Sequence, residues 1–206
     1  MTTEPYCTNG LPPAPAVSTK TMAMAGLLVD VIGLEELPAD EAAPTTCLWL
    51  LHPRTRTRAR MHDIARRTVD AWHQQQPQPQ RRGLVALAFD MPNHGSRLVS
   101  PEANQTWRDG NERHAVDMAG AVKGGRADMS ALMDLVAGYL GRRVDAHLAL
   151  GWSLGGHSAW QGLFCEPRLD AAVVVVGCPD FLGEFLVCAL ARLVCPVRNA
   201  AKEDRG

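Results

Sequence analysis

The chain has 206 residues, 46% of them apolar, with 21 basic against 22 acidic side chains and a formal charge of -1. That length suits one domain, the apolar share is enough to bury a core, and the balanced charge excludes a general polyanion binder. None of the six cysteines forms a CxxC pair, which excludes a zinc ribbon and a thioredoxin motif. The N-terminus shows no apolar h-region after a basic start. The thiols therefore read as reduced, and the location as cytoplasmic.

Residues 1–20 are Pro-rich and read as a disordered arm; 21–197 read as the domain and 198–206 as a tail. Residues 27–34 are expected to form a strand. The apolar run Cys47 to Leu51, bounded by turn signals, fits a buried strand. After a loop from His52 to Arg58, apolar spacing at Met61, Ile64, Ala65, Thr68 and Trp72 predicts a helix. Residues 84–89 are the next buried strand, followed by a long loop from Asp90 to about Asn111. Met129, Leu132, Met133, Val136 and Leu140 form one helical stripe. A short strand closes at Leu148 to Leu150, and a helix runs from about Gly155 to Phe164. Residues 171–176 (AAVVVV) read as a strand buried on both faces. Leu182 to Leu193 read as a last amphipathic helix stopped by Pro196. The apolar stretch from Phe181 to Val197 holds Glu184 and Arg192, so it reads as a core helix and not a membrane span.

Strands alternating with helices predict an α/β fold, a three-layer sandwich with a mostly parallel sheet. In such sheets the working groups stand at the carboxyl ends of strands. After Leu150 comes Gly151-Trp152-Ser153-Leu154-Gly155, a G-x-S-x-G pattern. Its small residues let strand and helix approach at a sharp turn. The turn lifts the Ser153 hydroxyl above the sheet and leaves the Leu154 N–H open to an oxyanion.

With this motif the chain resembles the α/β-hydrolase superfamily. Two further segments carry the likeness: Asp90-Met91-Pro92-Asn93-His94-Gly95, with Trp107-Arg108-Asp109-Gly110-Asn111 after it, and in part His52-Pro53-Arg54. The resemblance covers about residues 25–180 and implies an incomplete α/β-hydrolase fold, truncated after the sixth strand. It implies a serine hydrolase of the esterase or peptidase kind, in which Ser153 attacks an ester, thioester or peptide carbonyl. The oxyanion donors would be the N–H groups of Leu154 and Arg54, since Pro53 has none to give. Asp180, after the AAVVVV strand, would be the acid. The triad histidine is the departure from the pattern: 53 residues follow Ser153, and the only histidine among them is His157, inside the next helix. His52 and His94 read as loop braces, His114 as a helix-surface residue, and His62, His73 and His147 have no evident partner. The alternative is a catalytically impaired, truncated relative that acts as a binding module or non-functional isoform.

Six arginines, Arg54, Arg56, Arg58, Arg60, Arg66 and Arg67, fall within fourteen residues. They read either as a solvated helix flank or as a basic rim beside Ser153, with Arg58 and Arg60 favoured for the rim because arginine opposes a helix dipole at its N-terminus. No spacing suggests a metal site or a nucleotide loop, so no cofactor is expected, and the expected partner is a small ester or peptide. A last strand left as an open apolar edge predicts self-association through that edge.

Overall fold

The computed structural model describes residues 10–75, 82–180 and 183. Within these, six strands and three longer helices alternate: β1 Thr19–Met24, β2 Leu27–Ile32, β3 Thr45–Leu51, α1 His62–Gln75, β4 Gly83–Phe89, α2 His114–Leu140, β5 Val144–Trp152, α3 Leu154–Cys165 and β6 Leu169–Val175. The sheet order is β1-β2-β4-β3-β5-β6. The β1–β2 and β2–β4 pairs are antiparallel, and β4, β3, β5 and β6 run parallel. The expected Leu182 to Leu193 helix and the 198–206 tail lie outside the described residues, apart from Gly183.

The two faces of the sheet are set by alternation along the strands. Cys47, Trp49 and Leu51 of β3 join Val85, Leu87 and Phe89 of β4 on one face, packed under Met129, Leu132, Met133 and Val136 of α2 and Leu154 and Ala159 of α3. The intervening Leu48, Leu50, Leu84, Ala86 and Ala88 meet Met61, Ala65 and Val69 at the α1 side. Helices thus cover both faces, and β3 and β4 are buried throughout, as parallel central strands require.

Four elements differ from the reading of the sequence. β1, which begins at the end of the expected arm and runs into the expected domain, is not foreseen as a strand: its first three residues are exposed, so it has little hydrophobic signal. It is held by the Ala25-Gly26 turn, both at positive φ, a geometry suited to a two-residue hairpin. Val17 before it packs on the α1-side core. α1 buries Ala65, Val69 and His73, with Met61 buried in the turn just before it, a stripe rotated from the expected one, with Ile64 and Trp72 at its margin. Trp72 reaches the margin because its Nε1 donates to the Arg82 carbonyl at 2.9 Å. α2 starts fifteen residues before Met129. β6 is not buried on both faces: Val173 and Val175 are exposed, because β6 is the outermost strand on its side among the described residues.

Histidines that lacked a partner in the sequence find one through the fold. His147 Nδ1 accepts from Trp49 Nε1 at 3.1 Å across β3 and β5. His62 Nε2 lies 2.8 Å from Asp30 Oδ2, and His73 Nε2 accepts from the Leu84 N–H. Leu87, fully buried at the centre of the sheet, is the sharpest probe of this core. Leu87→Ala is expected to cost about 3 kcal/mol and to lower Tm by about 10 °C, measured by calorimetry.

Candidate active site

The carboxyl ends of β3, β4 and β5 meet at one place, and Ser153 stands there between β5 and α3. Its backbone is held at φ 53° and ψ -110°, a sparsely populated conformation for a residue with a side chain, costing about 1–3 kcal/mol. The surroundings enforce it. The Ser153 N–H donates to the Val175 carbonyl of β6 at 2.8 Å, and its own carbonyl accepts from the His157 N–H. A Cβ on Gly155 would collide with the Leu51 carbonyl, and one on Gly151 with the Gly155 carbonyl. The two glycines of the motif are therefore what allow β3, β5 and α3 to converge. As the first residue of α3, Leu154 has no intrahelical acceptor for its N–H.

A pocket of about 390 Å³ opens beside Ser153. Trp152 and Val176 line its apolar side, and Arg54, Arg56 and Arg60 its basic side. Arg60 lies over the Trp152 ring, 5.1 Å from its centroid. The loop that carries these arginines is pinned at Arg58. The Arg58 N–H donates to Asp90 Oδ1 at 2.8 Å, its Nε donates to Asp30 Oδ2 at 3.0 Å, and its Nη1 pairs with Asp90 Oδ2. Burial pushes the Asp30 carboxyl up, but hydrogen bonds from His62, Thr21 and Arg58 and the charge of Arg58 outweigh it and hold it at about 2. Arg58 is thus a structural cation, contrary to its expected place on the rim, whereas Arg60 does line the pocket.

The second motif is explained by Asp90. Its carboxylate occupies the space a side chain at Gly95 would need and accepts from the N–H and Oγ of Ser96. Asn93, at φ 61°, closes the loop by accepting from the N–H groups of Val99 and Ser100. Trp107 to Asp109 form a single turn capped reciprocally by Thr106 and Asp109, which leads into α2. His114, expected on the helix surface, is buried with its ring edge-on to Trp107 at 4.9 Å. An aromatic seven residues upstream was its only sequence signal.

Both strand-end histidines are braces. His52 Nδ1 donates to the Pro53 carbonyl at 2.8 Å, and its Nε2 accepts from the Met91 N–H at 2.9 Å. Burial lowers it to about 4, against partial support from the Pro53 carbonyl. His94 Nδ1 lies 2.9 Å from the Pro92 carbonyl, and burial lowers its pKa also. His157 Nδ1 faces the backbone of Cys178, 3.1 Å from its carbonyl and 3.3 Å from its nitrogen. Asp180 is exposed, and its Oδ1 accepts from the Gly183 N–H at 2.8 Å. Among the described residues, no histidine ring is hydrogen-bonded to Ser153 Oγ and no group of three or more His, Cys, Asp or Glu could hold a metal ion. No helix among them is long and apolar enough to cross a membrane. Trp152 and Val176 were given no role from sequence, although Trp152 lies inside the G-x-S-x-G motif and Val176 ends the 171–176 segment.

No family model and no curated protein matches the chain. Solved structures do. TT1662 of Thermus thermophilus is similar with a TM-score of 0.56 at 21% identity, over 79% of this chain and 58% of that one. A cold-adapted esterase from an Arctic intertidal metagenomic library gives 0.49 at 19% identity, over 87% and 68%. The esterase Pf2001 of Pyrococcus furiosus gives 0.46 at 14% identity, over 79% and 50%. With the sheet order and the elbow, the likeness to the Thermus structure shows that the chain has the α/β-hydrolase fold. It spans 58% of the length of that structure.

Two outcomes follow from this geometry. Gly155→Ala is expected to lower stability by about 3 kcal/mol in urea unfolding, since backbone would have to move. His52 has a folded pKa of about 4 against the usual 6.5, so between those values the unfolded chain binds a proton that the folded chain refuses. Stability therefore falls as pH drops from about 6.5 to about 4, by about 3 kcal/mol from this group. Histidine ring NMR is expected to show His52 neutral at pH 6, with its proton on Nδ1.

Proposed function

We propose that the protein is a serine hydrolase acting on an ester, thioester or peptide carbonyl. The observation that carries the reading is the backbone of Ser153, held in a strained conformation that presents its hydroxyl at the mouth of a pocket. In this reading Ser153 Oγ attacks the carbonyl. The Leu154 N–H, at the positive end of the α3 dipole, stabilises the oxyanion together with the Arg54 N–H. The leaving group departs and an acyl-enzyme remains for water to hydrolyse. Arg54 suits the second donor because the loop it belongs to lines the same pocket as Ser153. Asp180, beyond β6, is the carboxylate this reading assigns to orienting a base.

A second reading keeps the pocket and drops turnover. It is favoured by the commitment of both nitrogens of the His52 ring to backbone groups and of His157 Nδ1 to Cys178. A serine without an adjacent base is a weak nucleophile, and the protein would then be a binding module on a hydrolase scaffold.

Intact-mass labelling with a fluorophosphonate probe separates the two. Stoichiometric labelling of the full chain, lost in Ser153→Ala, is the result expected of the hydrolase. A folded sample that stays unlabelled would sink that reading in favour of the binding module.

A further inference from the structure

The stretch between His52 and Arg58 carries the second oxyanion donor of the hydrolase reading, and its own sequence gives it little support. Proline at position 53 has no N–H to contribute. Thr55 is held at φ 60°, an uncommon conformation for a β-branched residue. The bonds of Pro53 and Thr55 stay inside the loop. The Arg56 N–H donates to the Pro53 carbonyl at 3.3 Å, and Thr55 Oγ1 donates to the Arg54 carbonyl at 2.7 Å. The Arg54 N–H meets no acceptor among the described residues, so it is open to an incoming oxygen.

The Arg54 side chain reaches outside the loop. Its Nη1 donates to the Asn104 carbonyl, fifty residues on, in a charge-assisted bond that is stronger than one between neutral groups. That carbonyl is itself fixed. Asn104 Nδ2 donates to the Asn93 carbonyl at 2.7 Å, and Asn93 Nδ2 donates back to Asn104 Oδ1 at 3.2 Å. Asn93 also donates to the Ser100 carbonyl and accepts from the N–H groups of Val99 and Ser100. It stands shortly after β4, so a line of contacts runs from the central sheet to Arg54. On either side of Arg54, His52 is tied to Met91 and Arg58 to Asp90. The segment after β4 thus holds the segment after β3 at three points, and the middle one is at the donor.

We propose that Arg54 is a positioning residue for its own backbone: the guanidinium bond to Asn104, backed by the Asn93–Asn104 pair, holds the Arg54 N–H in place as the second oxyanion donor at Ser153. The role rests on the hydrolase reading, and it is mechanical, distinct from the charge of the side chain. A donor in such a hole works when it lies about 2.7–3.1 Å from the oxygen, and a misplacement of about 1 Å costs about a hundredfold in rate.

The test is labelling of the full chain by a fluorophosphonate over a series of concentrations, which gives a maximal rate and a half-saturating concentration. In that reaction Ser153 Oγ bonds to phosphorus, fluoride leaves, the hydroxyl proton passes to water, and the phosphonyl oxygen occupies the oxyanion position. Arg54→Met keeps the backbone N–H and removes the tether. It is expected to lower the maximal rate by about tenfold to a hundredfold at an unchanged half-saturating concentration. Nitrogen-15 relaxation is expected to show the backbone order parameter at position 54 falling from about 0.85 to below about 0.6. Arg54→Lys, whose ammonium still donates to a carbonyl, is expected to retain part of the rate. Asn104→Ala keeps the Arg54 charge and the carbonyl at 104 but removes the Asn93 pairing, and is expected to slow labelling about fivefold. Near-UV circular dichroism confirms that each variant is folded. Labelling of Arg54→Met at the wild-type rate, or an unchanged order parameter, overturns the proposal. Full rate in Asn104→Ala beside a slow Arg54→Met assigns the effect to charge and also overturns it, as does a loss that falls on the half-saturating concentration alone. A folded wild-type chain that stays unlabelled removes the hydrolase reading and the oxyanion role with it, whereas a labelled wild type with indifferent variants removes the positioning alone.

Discussion

The approach of α3 to β3 is the constraint on which the rest of the site depends. Gly155 lies against the Leu51 carbonyl so closely that no side chain fits between them. That contact draws the start of α3 over the sheet, and the chain can leave β5 for α3 only through a turn as sharp as the one at Ser153. The strain at Ser153 is thus not a local accident. It is set by the packing of Leu154 and Ala159 into the same core as Trp49, Leu51, Leu87 and Phe89. A packed core deforms little, so the hydroxyl is held in place by the whole upper half of the domain.

The loops around the elbow are fixed by a second, electrostatic device. Asp30 on β2 and Asp90 just after β4 hold Arg58 between them, and Asp90 also closes the Gly95-Ser96 turn. One carboxylate therefore sets two loops at the carboxyl end of the sheet. This places the arginine cluster: Arg58 is held inside the scaffold by Asp30 and Asp90, whereas Arg54, Arg56 and Arg60 line the pocket. The sequence shows six arginines in a row of positions, and only the fold says which of them meet carboxylates.

What could be read in advance follows the same physics. β3 and β4 are uninterrupted apolar runs because both of their faces are buried, and the G-x-S-x-G motif is legible because each of its glycines answers a backbone contact. β1 has three exposed residues at its start, so no pattern announces it; its evidence is pairing with β2, which is non-local. The early turns of α2 contain Gly120, Gly124 and Gly125, which weaken a helical signal, and the helix is held there by packing. The partners of His62, His73 and His147 lie 10 or more residues away along the chain, where spacing carries no information. The Asp180 side chain, by contrast, meets the backbone only three residues on, a local capping contact that sequence reasoning does weigh.

The architecture and the chemistry make separate demands. A sheet of this order with its elbow needs two glycines and a residue that tolerates positive φ at 153. Glycine would meet that conformational demand with no strain. Serine meets it only with strain and brings instead a hydroxyl at the end of β5, next to an N–H that its helix leaves without an acceptor. The fold accounts for the strain; it does not call for an oxygen atom at that position, and that oxygen, set beside an oxyanion donor, is what points from scaffold to function.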